Sequence, residues 1–348
     1  KYDASIHNPE IAGLDWKDLT DEEKSTVPPV LLVIDREFIK EVGWKEIHHL
    51  LSQDYPIKLI LMDDLAPDRY SALTEYSTLF AGFLSALLLK NAYIFSGGLH
   101  DVDHLYDGLM EGLHGNSPAL FHIHVTNFEQ HTRPSSDLAS YSRLASDSRT
   151  LPLLKYNPLR KSDFLRGAIQ LENNKVIDED SVNMEMELTD GTKVNYPLTW
   201  ADWAYTQKQW HEAFVELDRG ENWRFIPEFL ALTPVERKEV HPVILRWDES
   251  GVKYYRPSLD ILKICEIIID QWRTLQELSG LLFEFPQKLQ RDMENKIRQQ
   301  FDGEAEKLEE AYTVKLAAQR HDAMNVVKNQ LKERLIMLSK MTKNQLEN

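Results

Sequence analysis

The sequence predicts an α/β fold: a parallel sheet with helices on both faces, then a small α+β segment and a C-terminal helical extension. Three observations predict it. Short, wholly apolar runs recur between residues 30 and 125, as strands covered on both faces require. Helix-length stretches separate those runs, which implies right-handed crossovers and parallel pairing. Beyond about residue 165 the texture changes to alternating runs with turn dipeptides, and from 258 onward it reads as helix.

The elements follow in order. Residues 1–27 form an irregular lead-in that ends at Pro28-Pro29. The run 30–34 (VLLVI) is a strand buried on both faces, followed by a helix over 38–51. The second strand is 57–62 (IKLILM), and 71–90 is a long apolar helix. A third strand over 92–95 turns at Gly97-Gly98. A helix over 101–113 opens with Asp101 and Asp103, where the positive helix end favours acids. The fourth strand is 119–125 (ALFHIHV), and 135–148 is helical. The first domain therefore spans 28–165.

The second segment spans 166–257. Residues 182–188 and 193–198 make a hairpin around Asp190-Gly191. Thr199 and Asp202 have capping-box spacing, and Trp203, Trp210 and Phe214 share one face of the helix that follows. Residues 242–247 and 252–256 make another hairpin around Ser250-Gly251. In the extension, 258–348, Ser258 caps a helix with the buried stripe Ile261, Leu262, Cys265, Ile268, Ile269, Trp272 and Leu275. A charged helix follows Pro286 and weakens at Asp302-Gly303. Met324, Val327, Leu331, Leu335 and Leu338, spaced by three and four, form a helical-hairpin or coiled-coil seam, packed on their own domain or on another subunit.

Composition excludes several roles. The 348 residues are 42% hydrophobic, enough for real cores and about two domains. A net charge of -16 repels phosphate backbones and anionic membranes, so no nucleic-acid role is expected. The longest apolar stretch, 79–89, is too short for a membrane span, and the polar opening carries no signal peptide. Cys265 is the only cysteine, so the chain makes no internal disulfide and holds no cysteine-ligated iron–sulfur cluster alone. A reducing, cytoplasmic setting is expected. The chain opens at Lys1 rather than methionine, so sequence upstream is expected. Nucleophile-elbow and phosphate-loop motifs are missing.

Several side chains are candidates with bland alternatives. His100 and His104, with Asp101 and Asp103, have the spacing of metal ligands on a helix, but a third placed ligand is lacking. His122 and His124 share one side of a strand and read as hydrogen-bonded core histidines. The doublet His48-His49 cannot share a helix face. Trp200, Trp203, Trp210, Trp223 and Trp247 read as core or interface anchors, and Asp178, Glu179 and Asp180 as a solvated loop.

Residues 28–65 are the most informative. Asp35 ends the first strand and Asp64 the second, 29 residues later. Adjacent parallel strands would bring both carboxylates to the sheet's open end, where such folds bind ligands. Gly43-Trp44, the strand ending at Asp63, the strand before Gly97-Gly98, the run 117–123 (SPALFHI), His131, and 142–158 (SRLASDSRTLPLLKYNP) complete the pattern. In order and spacing these resemble the thiamine-diphosphate domain of the pyruvate:ferredoxin (flavodoxin) oxidoreductases, the 2-oxoacid:acceptor oxidoreductase family. The resemblance covers roughly residues 28–165.

The resemblance implies thiamine diphosphate and Mg²⁺ as cofactors. Asp35, Asp64 and the Ala66 carbonyl would hold the metal; Arg36, which stands at a glycine of the family's motif, could instead aim a charge at a phosphate. It implies decarboxylation of a 2-oxoacid, with electrons passing through clusters on other domains or subunits to ferredoxin or flavodoxin, in an oligomeric complex. The sequence also departs from the family. Gly-Asp-Gly is replaced by Ile34-Asp35-Arg36, and Thr-Gly-Gly-Gln is absent after Asp64. The family's activating glutamate comes from another domain. Two readings stay open: the diphosphate half of a thiamine site, or a non-catalytic relative that serves as a structural or subunit-docking module.

Overall fold

The computed structural model describes residues 16–127, 129–131, 138–160, 168–188, 191–217, 222–248, 251–282 and 284–344. It has two compact units, Lys1–Leu282 and Phe283–Asn348.

The first unit is mixed α/β with a mostly parallel central sheet. Its order is β1 (Val30–Asp35), β2 (Ile57–Asp63), β4 (Ala119–His124), β3 (Tyr93–Gly98), β5 (Leu154–Tyr156) and β6 (Ile169–Gln170). The first four are parallel, and β5 and β6 each run antiparallel to the preceding strand in that order. The lead-in expected to be irregular contains α1 (Asp21–Thr26), opened by a Thr20–Glu23 capping box that the sequence reading did not pick out. The connections between the parallel strands are helices: α2 (Arg36–Val42) and α3 (Trp44–Ser52), then α4 (Ala72–Leu88), then α5 (Val102–His114). Strand alternation sorts the side chains. Leu59, Leu61, Ile94 and Leu120 pack with Ile47, Leu51, Ala86 and Leu87 of α3 and α4. Phe95 and Phe121 face the opposite way, against Leu105 and Leu109 of α5.

Several expectations are corrected. Among the described residues β1 is the edge strand, paired with β2 alone, and Val30, Leu31, Leu32 and Val33 are 37–61% exposed. Its apolar run therefore does not mean burial on both faces. The single helix expected over 38–51 is two, because Gly43 takes φ +82° and ends α2 before α3 starts. Gly97 and Gly98 lie inside β3 rather than in a turn. A Cβ on Gly98 would come within 2.6 Å of Ser142 Oγ, so the glycine permits close packing of α6 (Leu138–Asp147). The start expected for α6, Ser135, lies outside the described residues.

The rest of the first unit packs around tryptophans. β7 (Asn183–Glu187) and β8 (Lys193–Pro197) form the predicted hairpin, although Asp190 of its turn lies outside the described residues. The Thr199–Asp202 capping box is present and opens α7 (Trp200–Tyr205). That helix ends before Trp210, which sits in a 3-10 turn, and Phe214 starts β9 (Phe214–Leu217). Trp203, Trp210 and Phe214 thus share a core but not a helix. A second sheet runs β10 (Trp223–Phe225), β11 (His241–Asp248), β12 (Gly251–Pro257), β9. β11 and β12 are the second predicted hairpin; its Ser250 is outside the described residues. Among the five candidate tryptophans, Trp247 is 53% exposed and anchors no core. α8 (Ile226–Ala231) and α9 (Leu259–Ser279) complete the unit. The α9 stripe is buried as expected except Ile269, which is half-buried, and Ser258 caps without a side-chain bond.

Among its described residues the second unit is one helix, α10 (Glu284–Asn344), 61 residues long. It runs unbroken through Asp302-Gly303, contrary to the expected weakening. Helical residues on both sides carry the single glycine at a modest local cost. No described helix is long and apolar enough to cross a membrane.

Candidate functional site

The carboxyl ends of β1, β2 and β4 open onto a polar crevice of about 1150 Å³, open mouth included. Asp35, Arg36, Asp63, Asp64, Ala66, Glu75 and Asn127 line it, with Glu37, Lys40 and Asp68 near its rim. β1 and β2 are adjacent and parallel, with Asp35 beside Met62. All four residues singled out from the sequence, Asp35, Arg36, Asp64 and Ala66, thus face one cavity.

Local chemistry commits several of them. Asp35 is the N-cap of α2, and its carboxylate accepts from Phe38 N at 2.8 Å. Asp64 accepts from Ala66 N at 3.1 Å and from Asn127 Nδ2 at 3.4 Å. Arg36 reaches across the crevice. Its Nη2 meets Asp63 Oδ1 at 2.5 Å and its Nη1 meets Glu75 Oε2 at 3.4 Å. Lys40 adds a contact to Glu75 at 3.2 Å.

Asp63 is the centre of this arrangement, and the sequence reading gave it no role. Its side chain is fully buried. Oδ2 pairs with His122 Nε2 at 2.9 Å, and Oδ1 also accepts from Leu65 N at 2.9 Å. Burial alone would raise its pKa. Arg36 first, then His122 and the Leu65 amide, outweigh burial and hold the carboxylate well below its usual range. Burial likewise opposes the Arg36 charge, and Asp63 outweighs it. The signal was in the pattern: strand alternation puts Asp63 on the Leu59–Leu61 face, and β2–β4 register pairs Leu61 with His122. Leu65 then takes φ +56°, a left-handed conformation unusual for leucine. Its carbonyl is held by Tyr76 OH at 2.7 Å.

The other sequence candidates are structural. Asp101 caps α5 by accepting from His104 N, and His104 Nε2 pairs with the Ser96 carbonyl. His100 pairs with Ser142. No group of three or more metal-ligating side chains occurs among the described residues. His124 sits edge-on to Trp203, and burial pushes its pKa down to about 3. His131 stacks on Tyr141 and pairs with Gln207, and burial pushes it down to about 4. His48 bonds at the Gly82 carbonyl. In the acidic loop Asp180 pairs with Arg273.

A Mg²⁺-bound diphosphate fits these residues poorly. Six acids (Asp35, Glu37, Asp63, Asp64, Asp68, Glu75) line the crevice against two bases, Arg36 and Lys40. A further polyanion would meet that excess at short range. Asp35 already caps a helix, and Arg36 stands where a glycine would let a phosphate approach the backbone.

Fold and site together define an α/β protein with an open, acid-rich crevice whose Arg36 is tied into an internal ion-pair network. No known family model matches the chain, and no curated protein matches it.

Proposed function

We propose that this chain is a non-catalytic relative of the thiamine-diphosphate domain of 2-oxoacid:acceptor oxidoreductases and serves as a subunit-docking module. One observation carries the reading. Arg36 lines the crevice and is tied to Asp63 and Glu75, so the cation that would meet a diphosphate is already committed to the protein's own carboxylates. The exposed apolar edge at β1, with Met62 of β2 at 42% exposure, adds a surface suited to a partner.

A second reading has its own support. Asp35, Asp64 and Ala66 do share one crevice at neighbouring strand ends, and Asn127 adds an amide beside Asp64. On that reading the chain supplies the Mg²⁺–diphosphate half of a thiamine site, with ferredoxin or flavodoxin served by other subunits.

Calorimetry with thiamine diphosphate and Mg²⁺ separates the two. The docking reading expects no binding at millimolar cofactor by the chain. Saturable binding that Asp35→Ala abolishes would overturn it in favour of the enzymatic reading.

A further inference from the structure

The second unit carries the inference, independently of how the crevice is read. α10 is 61 residues, about 90 Å at the helical rise. Every described side chain from 311 to 337 is exposed. That stretch nevertheless holds a line of large apolar groups spaced by three and four, interrupted once by Arg320: Tyr312 (67% exposed), Leu316 (52%), Met324 (72%), Val327 (53%), Leu331 (57%) and Leu335 (65%), with Val314, Val326, Ile336 and Met337 exposed off that line. A helix with such a stripe gains most of its stability by covering it.

The sequence charge says what covers it. Residues 302–310 hold five acids and one base, whereas 311–343 hold seven bases and two acids. Two copies side by side in the same direction would set acid against acid and base against base. Reversing one copy sets the acidic stretch of each against the basic end of the other and opposes the two helix dipoles. A reversed pair centred between Ala323 and Met324 also puts Tyr312 opposite Leu335, Leu316 opposite Leu331 and Met324 opposite Ala323, so most of the apolar stripe meets itself, with Val327 facing Arg320. We propose that α10 is an antiparallel homodimerisation helix, with a second copy of this chain as its partner.

Light scattering on the full chain, combined with cysteine cross-linking, tests this. The native Cys265 is 1% exposed and leaves introduced thiols to report alone. The chain should have twice its 40.5 kDa mass. Leu331→Glu should raise the dissociation constant at least about tenfold, because it sets a charge in the seam. It should leave the unfolding temperature of the first unit unchanged in the monomer. Ala323→Cys should form a disulfide-linked dimer by itself under mild oxidation. Tyr312→Cys should link only when mixed with Leu335→Cys, since like positions lie about 35 Å apart in the reversed pair. A monomeric mass up to the solubility limit overturns the proposal. So does self-linking of Tyr312→Cys, which requires parallel copies, and so does a mixed sample in which Tyr312→Cys and Leu335→Cys do not link.

Discussion

α9 and the 311–337 part of α10 both carry apolar residues at helical spacing, and these meet opposite fates. In α9, Ile261, Leu262, Cys265, Ile268, Trp272 and Leu275 are all buried within the first unit. In α10, Met324, Val327, Leu331 and Leu335 are each more than half exposed. Periodicity therefore says that a face wants cover but not where the cover comes from. In α9 the cover is fixed by polar bonds as well. Trp272 Nε1 donates to the Glu179 carbonyl at 2.9 Å, Gln276 donates to the Ile177 carbonyl at 2.8 Å, and Arg149 lies over the Trp272 ring at 4.0 Å. Nothing comparable holds the described part of the α10 stripe.

The largest effects should sharpen that contrast. Trp272→Ala should cost about 3–5 kcal/mol in chemical denaturation, through lost burial and an emptied site. Leu331→Ala should change the unfolding of the first unit by less than about 0.5 kcal/mol when the protein is dilute. Equal costs at both positions would break the comparison. Asp63→Ala belongs with Trp272→Ala. It leaves Arg36 largely buried without its main partner, at about 3–5 kcal/mol.

Acid should separate the two regions next. His124 and His131 lie in the first unit with pKa values lowered to about 3 and about 4 by burial. Their unfolded value is near 6.5, so the unfolded chain binds more protons at any pH between. Stability is then full above about pH 6.5 and falls as pH drops toward the folded values. His124 alone contributes a loss on the order of 3 kcal/mol by pH 4. Denaturation midpoints measured from pH 7 to pH 4 should fall steadily. His124→Phe should flatten the decline, and an unchanged slope in that variant counts against the assignment.

A smaller effect concerns covered and uncovered cations. Lys58 is fully buried in β2, and its ammonium donates to the carbonyls of Gly112, Gly115 and Ser117 at 2.8, 2.6 and 2.6 Å. Those carbonyls lie at and beyond the end of α5, where a cation is favoured. Burial nonetheless lowers its pKa to about 8. Lys58→Met should cost about 2 kcal/mol, since three carbonyls lose a charged donor. Lys332→Met, on the exposed run of α10, should cost nothing measurable in the same assay.

The legibility of the chain follows the same division. Apolar runs and turn dipeptides located β1 to β4, both hairpins and the Thr199 capping box, because those signals act over a few residues. They misread β1, since a wholly apolar strand looks alike at an edge and in the middle of a sheet. They placed Gly97-Gly98 in a turn because the packing of Gly98 against Ser142 depends on a residue over forty positions away. In the crevice, the 29-residue interval pointed to Asp35 and Asp64, whereas Arg36 and Ala66 entered only through the resemblance to the thiamine-diphosphate domain. The pairing of Arg36 with Asp63, and of Asp63 with His122, needed the register of three strands.

The smallest expected effect lies within α10. Gly303 sits inside the helix with nothing within 4 Å of where a Cβ would be. Alanine there meets no clash and removes the backbone freedom that a helical glycine gives up, for a gain of about 1 kcal/mol. Because the helix forms a unit of its own, that gain should appear as slower amide exchange around residue 303. It should not appear in the denaturation midpoint of the first unit. A raised midpoint for the whole chain in Gly303→Ala would mean that the two units unfold together. The covered and uncovered stripes would then belong to one cooperative structure, and the contrast between α9 and α10 would lose its basis.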